Sequence, residues 1–349
     1  MRTLLSRLCI ALATAVALAG PATAQQQDGV VMAASGGGNG EAWRKMMGEP
    51  FAAESNIPIM IVDHPNTEAA VRTSVESSQF NLSWVAYFQA AALHRDGLLE
   101  TLDPNDFPEL KDIPEEYVMK AEDGRLIGIP IQFQYYGIAV NKDRAKVEDF
   151  ASWKDLADPK WQGQIGQGQA FIVANYDLVM LAKSAGGDEV NYEPGIPVLE
   201  GFTKNSLTIL SSYAQGNTLL SRGEVAALPF YSARVQALKN EGAPVEIAIP
   251  SEGALALPYM IVVPKGAKNK EAYTAFLRYA LKAEGQVRMF ENTGYIPLNK
   301  TAEFSDAQTT VLGMPLADLM PKLYQPDYFA LTKDAQAKID KVEQIQSGR

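Results

Sequence analysis

The run Ile127-Gly128-Ile129-Pro130-Ile131-Gln132-Phe133 is apolar, β-like and too short for a helix. A second run, Val245-Glu246-Ile247-Ala248-Ile249-Pro250, alternates along a strand before a proline ends it. If both runs connect the same two lobes, the chain between them forms one lobe and the flanking chain forms the other. We therefore predict an α/β protein of two lobes, with a hinge made of two crossing segments.

Elsewhere the chain repeats a short apolar run followed by a helical stretch, which is the pattern of an α/β protein. The first example is Val30–Ala34, then the glycine-rich turn 35–40, then a helix from about Glu41. We place lobe one at residues 25–130 and 251–301. Lobe two takes residues 131–250 and 302–349, with the C-terminal helices packed on it. Because ligands are commonly bound between lobes, we expect the site in the cleft.

Residues 1–24 have the three parts of a secretory signal peptide. Arg2 and Arg7 give a positive start, Leu8–Leu18 is apolar, and Ala22-Thr23-Ala24 ends the segment. The alternative is a membrane anchor, but the apolar run is well short of the roughly 20 residues that span a bilayer. We expect cleavage before Gln25 and a periplasmic protein.

The single cysteine, Cys9, lies inside this segment, so we expect the mature chain to have no thiol, no disulfide and no lipid anchor. Loss of Arg2 and Arg7 from the 31 basic residues leaves 29 against 41 acidic ones, a formal charge of about −12. Acidic surfaces do not suit nucleic acid or anionic membranes, which need clustered Lys and Arg. We expect neither partner, no membrane insertion, and a monomer.

Four segments, in order along the chain, resemble the bacterial extracellular solute-binding proteins of ABC importers. The resemblance is to the branch that includes spermidine/putrescine, ferric-iron and thiamine binders, and it lies in Gly97–Asp103, Tyr136–Asp143, Trp153–Ile165 and Thr293–Asn299. It implies a periplasmic-binding-protein fold of type II. It also implies a non-enzymatic protein that captures a small organic solute, nitrogen-containing and polyamine-like, and delivers it to a membrane permease.

In lobe one, Ser35, Gly36 and Gly37 follow the first strand and precede a helix, so their backbone N–H groups would face the cleft. The resemblance places a ligand-facing loop here, and the alternative is a flexible turn. Trp84 ends the apparent strand 80–85 and would either stack on a ligand or belong to the core.

At the first crossing, Gln132, Gln134 and Tyr136 carry polar tips that would orient a ligand by hydrogen bonds. In lobe two, candidate contacts follow short apolar runs, at strand ends that open onto the cleft in α/β sheets. These are Asn175, Tyr213, Tyr231 and Arg234. Arg234 would clamp a ligand carboxylate, or it is a surface or ion-pair residue.

Glu252 resembles a family segment that follows the second crossing. Tyr259 stands where polyamine binders of the family carry an aspartate for the ligand ammonium, and Leu257 stands where they carry a tryptophan. These departures argue against a long, doubly charged amine. Glu252 on an ammonium and Arg234 on a carboxylate would together suit a zwitterion or a monocation.

The sequence contains none of the common catalytic motifs that would indicate an enzyme. The chain has two histidines, His64 and His94, no Gly-x-Ser-x-Gly motif and no zinc-ligand spacing, so we expect no catalytic residue, no metal and no cofactor. The alternatives are a binder of ferric iron or another small ion, and a secreted carboxylate-dependent enzyme. Tyr135-Tyr136 resembles the iron-ligating tyrosines of some relatives, but carboxylates are missing nearby.

Overall fold

A computed structural model describes residues 29–348 and has the predicted α/β architecture. The predicted signal peptide lies outside the described residues. The strands are β1 Val30–Ala34, β2 Ile59–Asp63, β3 Leu82–Ala86, β4 Leu99–Glu100, β5 Ile129–Asn141, β6 Ile165–Gln167, β7 Ser206–Ile209, β8 Ala227–Tyr231, β9 Val245–Ala248, β10 Ala254–Pro264, β11 Ile296–Pro297 and β12 Leu323–Tyr324.

The helices lie between and after these strands. The α-helices are Gly38–Ala42, Glu49–Ser55, Thr67–Ser77, Tyr87–Arg95, Ala170–Ile172, Leu178–Ser184, Ile196–Asn205, Tyr213–Ser221, Ser232–Asn240, Lys270–Ala280, Ala283–Thr293, Asp306–Leu312, Leu316–Leu319, Tyr328–Leu331 and Ala335–Ser347. Two π-helical turns, Trp43–Gly48 and Val173–Asp177, continue neighbouring helices. Among the described residues, no helix combines the length and hydrophobicity that a membrane span requires.

The strands form two halves with the same order. The first half has the order β2-β1-β3-β10-β5, and the second half has the order β7-β6-β8-β5-β9. In each half three parallel strands are followed by an antiparallel strand that arrives from the other half. This arrangement agrees with the two-lobed organisation predicted from the sequence, because each half receives one strand from the other.

Two long strands make the crossing. Strand β5 extends beyond the predicted run 127–133, and all of its residues are buried. The second predicted run corresponds to β9, which pairs with the end of β5 inside the second half. The return to the first half is instead made by β10, which pairs with β5 from Leu255–Tyr136 to Ile261–Ile129. The chain therefore crosses back a few residues later than predicted.

The C-terminal segment divides between the halves. In helix Ala335–Ser347, Gln346 donates to the Gly168 carbonyl at 2.9 Å, which ties that helix to the second half. Upstream, Gln308 donates to Glu291 at 2.7 Å, and helix Tyr328–Leu331 packs on Tyr87–Arg95 in the first half. Between them, the Asp327 backbone N–H donates to Glu189 of the second half at 2.7 Å, so the segment contacts both halves and the lobe boundaries stay a prediction.

Candidate functional site

A cavity of about 430 Å³ lies where β5 and β10 run between the halves. Both halves contribute to its walls. On the first-half side its main side chains are Phe88, Gln89, Gln134, Tyr259 and Tyr295. On the second-half side they are Phe171, Tyr176, Tyr213, Asn217, Tyr231 and Arg234. The cavity is therefore lined mainly by aromatic rings and by uncharged hydrogen-bonding groups.

The first-half wall is built on the alternation of β5. Alternate residues of a strand share a face, so Gln132 and Gln134 point to the same side, as does Tyr259, which pairs with Gln132. Gln134 donates to the Tyr259 hydroxyl at 2.8 Å. The Tyr259 ring stacks on Trp84 with centroids 4.4 Å apart, and Tyr295 meets it edge-on at 5.1 Å. Trp84 and Gln134 thus fix the ring that faces the cavity.

The second-half wall follows the ends of two strands. Tyr213 begins a helix after β7, with Ser212 as its N-cap, and Tyr231 is the last residue of β8. Their hydroxyl oxygens are 2.9 Å apart. Arg234, in the first turn of the next helix, lies with its guanidinium carbon 4.6 Å from the Tyr213 ring centroid. The two tyrosines and the arginine therefore support one another at the cavity wall.

A second chamber of about 300 Å³ lies beside the cavity and shares Phe171, Ile172, Tyr213 and Tyr231 with it. Its remaining wall is largely apolar and includes Tyr136 and Phe230. The hydrogen-bonded Tyr213–Tyr231 pair belongs to the walls of both compartments. Movement of this pair would change how far a ligand can extend into the second half.

The Tyr136 hydroxyl reaches Asp177, a fully buried carboxyl group, at 3.4 Å and 3.5 Å to its two oxygens. Burial raises the pKa of Asp177 from 3.8 to about 8, and the Tyr136 contact lowers it by a smaller amount. The raised pKa favours the protonated form of this carboxyl group at neutral pH. The protonated form supplies no negative charge to the neighbouring cavity.

Four of the tyrosine hydroxyls at the cavity also favour their neutral form. Burial raises the pKa values of Tyr176, Tyr231 and Tyr259 well above 10.0, and raises the pKa of Tyr295 to about 12. Among the described residues that line the cavity, Arg234 is the only one with a formal charge. The salt bridges found in the described part of the chain do not involve Arg234.

The structure brings together Gln134, Tyr213, Tyr231, Arg234 and Tyr259 of the predicted contacts around the cavity. Tyr136 lines the adjoining chamber. Trp84, 3% exposed, lies against Tyr259, and Gln132 is fully buried on the same face of β5. These three support or extend the site without lining the cavity.

Other predicted contacts lie elsewhere. The loop of Ser35, Gly36 and Gly37 packs beside Asp63, because a Cβ placed on Gly36 would come within 3.3 Å of the Asp63 Cβ. Asn175 donates to the Phe171 carbonyl at 2.7 Å inside the second half. Neither the loop nor Asn175 is part of the cavity lining.

Glu252 is also placed away from the cavity. It lies in the turn between β9 and β10, where it accepts hydrogen bonds from the Ser152 hydroxyl and, at 3.3 Å, from the Trp153 backbone N–H. The turn is held on the second half because the Trp153 indole donates to the Gly253 carbonyl at 2.8 Å. Glu252 therefore stabilises this turn and is not positioned to pair with a ligand ammonium in the cavity.

Several lining residues were not among the predicted contacts. Phe88 and Gln89 open the helix after β3, so the strand-end argument used for lobe two would have found them. Tyr295 lies in Thr293–Asn299, a segment that carries the family resemblance but was not expected to contact the ligand. Phe171 precedes no recognisable motif, and its ring lies 6.0 Å from Phe88 across the cavity.

In the described part of the chain, no group of three or more His, Cys, Asp or Glu side chains is arranged to hold a metal ion. The arrangement can offer aromatic surface, hydrogen bonds from hydroxyl and amide groups, and one cation. These are the means of binding an organic solute. Acid–base chemistry would instead require titratable groups poised near neutral pH and facing the cavity.

Comparison with known proteins places the chain in a family. The family described as bacterial extracellular solute-binding protein matches residues 46–311. Spermidine/putrescine-binding periplasmic protein 1 of Haemophilus influenzae is 26% identical over 264 residues, which cover 73% of this chain and 72% of the relative.

Solved structures show the same fold. An ABC transporter structure from Clostridium perfringens has a TM-score of 0.77 and 20% identity, and covers 91% of this chain and 99% of its own. The periplasmic binding protein MotA from A. tumefaciens B6, in complex with glucopine, has a TM-score of 0.74 and 22% identity, with coverages of 91% and 99%. The matches confirm the resemblance seen in the sequence, and the chain belongs to the bacterial extracellular solute-binding protein family.

Proposed function

We propose that this protein is the periplasmic component of an ABC importer, and that it binds a small organic solute in the cavity between its halves. The observation that carries the proposal is a cavity of about 430 Å³ lined by both halves at the strands that connect them. A volume of this size is typical of a small-molecule site. The spermidine/putrescine-binding relative named above supports a nitrogen-containing solute.

Binding would be coupled to closure of the halves. Phe88 of the first half approaches both Phe171 and Tyr176 of the second half, with ring centroids 6.0 Å and 6.1 Å apart. A solute between the two walls would add contacts to both and so favour the closed arrangement. The importer permease would then recognise the closed, loaded form. Secretion through the signal peptide at residues 1–24, and action as a monomer, complete the proposal.

The other functions receive less support from the site. A ferric site would need anionic ligands, whereas burial keeps the tyrosine hydroxyls protonated and carboxylates do not line the described cavity. An enzyme with a carboxylate pair would need two acidic groups facing the cavity. The related proteins are transport-binding proteins rather than enzymes.

Mass spectrometry of small molecules released from the purified protein tests the proposal. We expect a stoichiometric solute from the wild-type chain. Ala233 lines the cavity, so Ala233→Trp should fill it and abolish the retained solute. Ala337, exposed on the C-terminal helix, provides the matched control, and Ala337→Trp should retain the solute. Equal solute in both variants would show that the binding site lies elsewhere.

A further inference from the structure

We propose that the solute carries a carboxylate and that Arg234 binds it in the cavity. The inference rests on the proposed function and names the class of solute for the same site. It differs from the polyamine expectation in the sign of the charge that the solute must present to the protein.

The charges around the cavity carry the argument. Arg234 has a formal positive charge, and the other described lining residues have none. Asp177 does not line the cavity: it is fully buried against the Tyr136 hydroxyl, and burial raises its pKa to about 8, which favours its neutral form. A dication would therefore meet one positive charge and no negative one. A carboxylate would neutralise the cation that is already there.

The position of the guanidinium is defined. Its carbon lies 4.6 Å from the Tyr213 ring centroid, and Tyr213 is in turn held by the Tyr231 hydroxyl. A guanidinium has five N–H donors in a planar fork that matches a carboxylate. With one face of the guanidinium against Tyr213, its N–H donors could still bind a group in the cavity. Ion pairs among the described residues do not occupy it.

Tyr295 of the first half lines the same cavity as Arg234. Burial raises the pKa of Tyr295, and the positive charge of Arg234 acts in the opposite direction. Arg234 therefore lies near Tyr295 of the first half as well as Tyr213 of the second. A carboxylate bound there would touch groups from both halves, so its binding would also favour closure.

The rest of the solute would lie among the rings of Tyr176, Tyr231 and Tyr259. These rings can bury a hydrocarbon chain, and they can also hold a nitrogen cation through cation–π attraction. Both kinds of solute share the carboxylate. The length of the chain is set by the cavity, together with the adjoining chamber behind Tyr213 and Tyr231.

Calorimetry with matched pairs of probes tests the inference. The pairs are butyrate and butylamine, 4-aminobutyrate and putrescine, and 4-phenylbutyrate and 4-phenylbutylamine. In each pair the carbon chain is constant and the carboxylate is replaced by an amine. We expect the carboxylate member of at least one pair to bind, and to bind at least about tenfold more tightly than its partner. Preference for 4-aminobutyrate over butyrate would indicate a nitrogen cation among the rings.

Substitution of the arginine provides the second arm. Arg234→Gln should weaken the carboxylate by roughly 10- to 100-fold, as expected for loss of a charge-assisted hydrogen bond. Arg234→Lys should weaken it less, because the charge remains. Arg222, largely exposed on the same half, supplies the control, and Arg222→Gln should bind as the wild type does.

The outcomes separate this inference from the proposed function. Tighter binding of an amine, unchanged by Arg234→Gln but abolished by Ala233→Trp, would overturn the carboxylate and leave solute binding in place. Binding of any probe that Ala233→Trp does not affect would instead remove the cavity as the site. Loss of carboxylate binding in Arg234→Gln and its partial return in Arg234→Lys would support the inference.

Discussion

Asp177→Asn should stabilise the protein, and the gain should grow as the pH rises. Asp177 is fully buried, and its side-chain partner, the Tyr136 hydroxyl, is 3.4 Å and 3.5 Å from its two oxygens, so the carboxylate form is poorly solvated. Its pKa is about 8 in the folded protein, against 3.8 as the ordinary value. Asparagine has nearly the same shape, remains uncharged at every pH, and keeps an acceptor for the tyrosine.

The sign and size follow from proton linkage. Below about pH 4 the Asp177 carboxyl group is protonated in both the folded and the unfolded state, so its titration does not change the free energy of unfolding. Between about pH 4 and pH 8 the unfolded chain loses the proton while the folded chain keeps it, which favours unfolding by about 1.4 kcal/mol for each pH unit. Above pH 8 the group is ionised in both states, so the loss of free energy of unfolding stays constant. The advantage of the asparagine variant should therefore rise by about 3 kcal/mol from pH 5 to pH 7.

Urea unfolding followed by tryptophan fluorescence at pH 5, 6, 7 and 8 measures this difference. The difference between the wild type and Asp177→Asn isolates this group, because all other titrating groups contribute equally to the free energy of unfolding of both proteins. Asp318 is exposed, so Asp318→Asn serves as the control and should follow the wild type at each pH. Free energies of unfolding that run parallel for the wild type and Asp177→Asn would refute the reasoning.

Three further predictions concern the turn at β10, helix packing and secretion. Trp153→Phe should lower the free energy of unfolding by about 1–3 kcal/mol, because it removes the indole donor to the buried Gly253 carbonyl. Urea unfolding that shows no loss of stability would contradict this prediction. Gly195→Ala should lower the free energy of unfolding by about 1–3 kcal/mol, because the added Cβ would lie 2.6 Å from the Ala182 nitrogen. Gly38→Ala is the control, because a Cβ there would meet nothing within 4 Å. Equal melting temperatures of the two variants would argue against the packing described. Intact mass of the secreted protein should correspond to a start at Gln25 without lipid, and retention of residues 1–24 or a diacylglycerol adduct would disprove cleavage there.

The architecture was predictable because it depends on local pattern. The apolar run at 127–133 indicated the first crossing strand, and the repeated strand–helix pattern indicated α/β layers. The end of the second crossing was not predictable. Whether β9 or β10 makes the return depends on which part of β5 each strand pairs with, and pairing register joins residues more than 100 positions apart.

The site was predictable only in part, for a related reason. Tyr213, Tyr231 and Arg234 lie at or just after strand ends, and the structure places all three in the cavity wall. Glu252 also lies near a strand end, but the indole of Trp153 holds its turn against the second half. Tyr295 was not among the predicted contacts, because its place at the cavity depends on Tyr259, which the fold brings next to it. The predicted contacts as a set stay a prediction until a bound solute is seen.

Small-angle X-ray scattering of the mature protein, with and without the solute identified by mass spectrometry, tests the central claim most directly. The account predicts that saturating solute lowers the radius of gyration of the wild-type protein, because the halves close on it, and that Ala233→Trp shows no change. The same radius of gyration for the wild type with and without saturating solute would contradict capture by closure between the two halves.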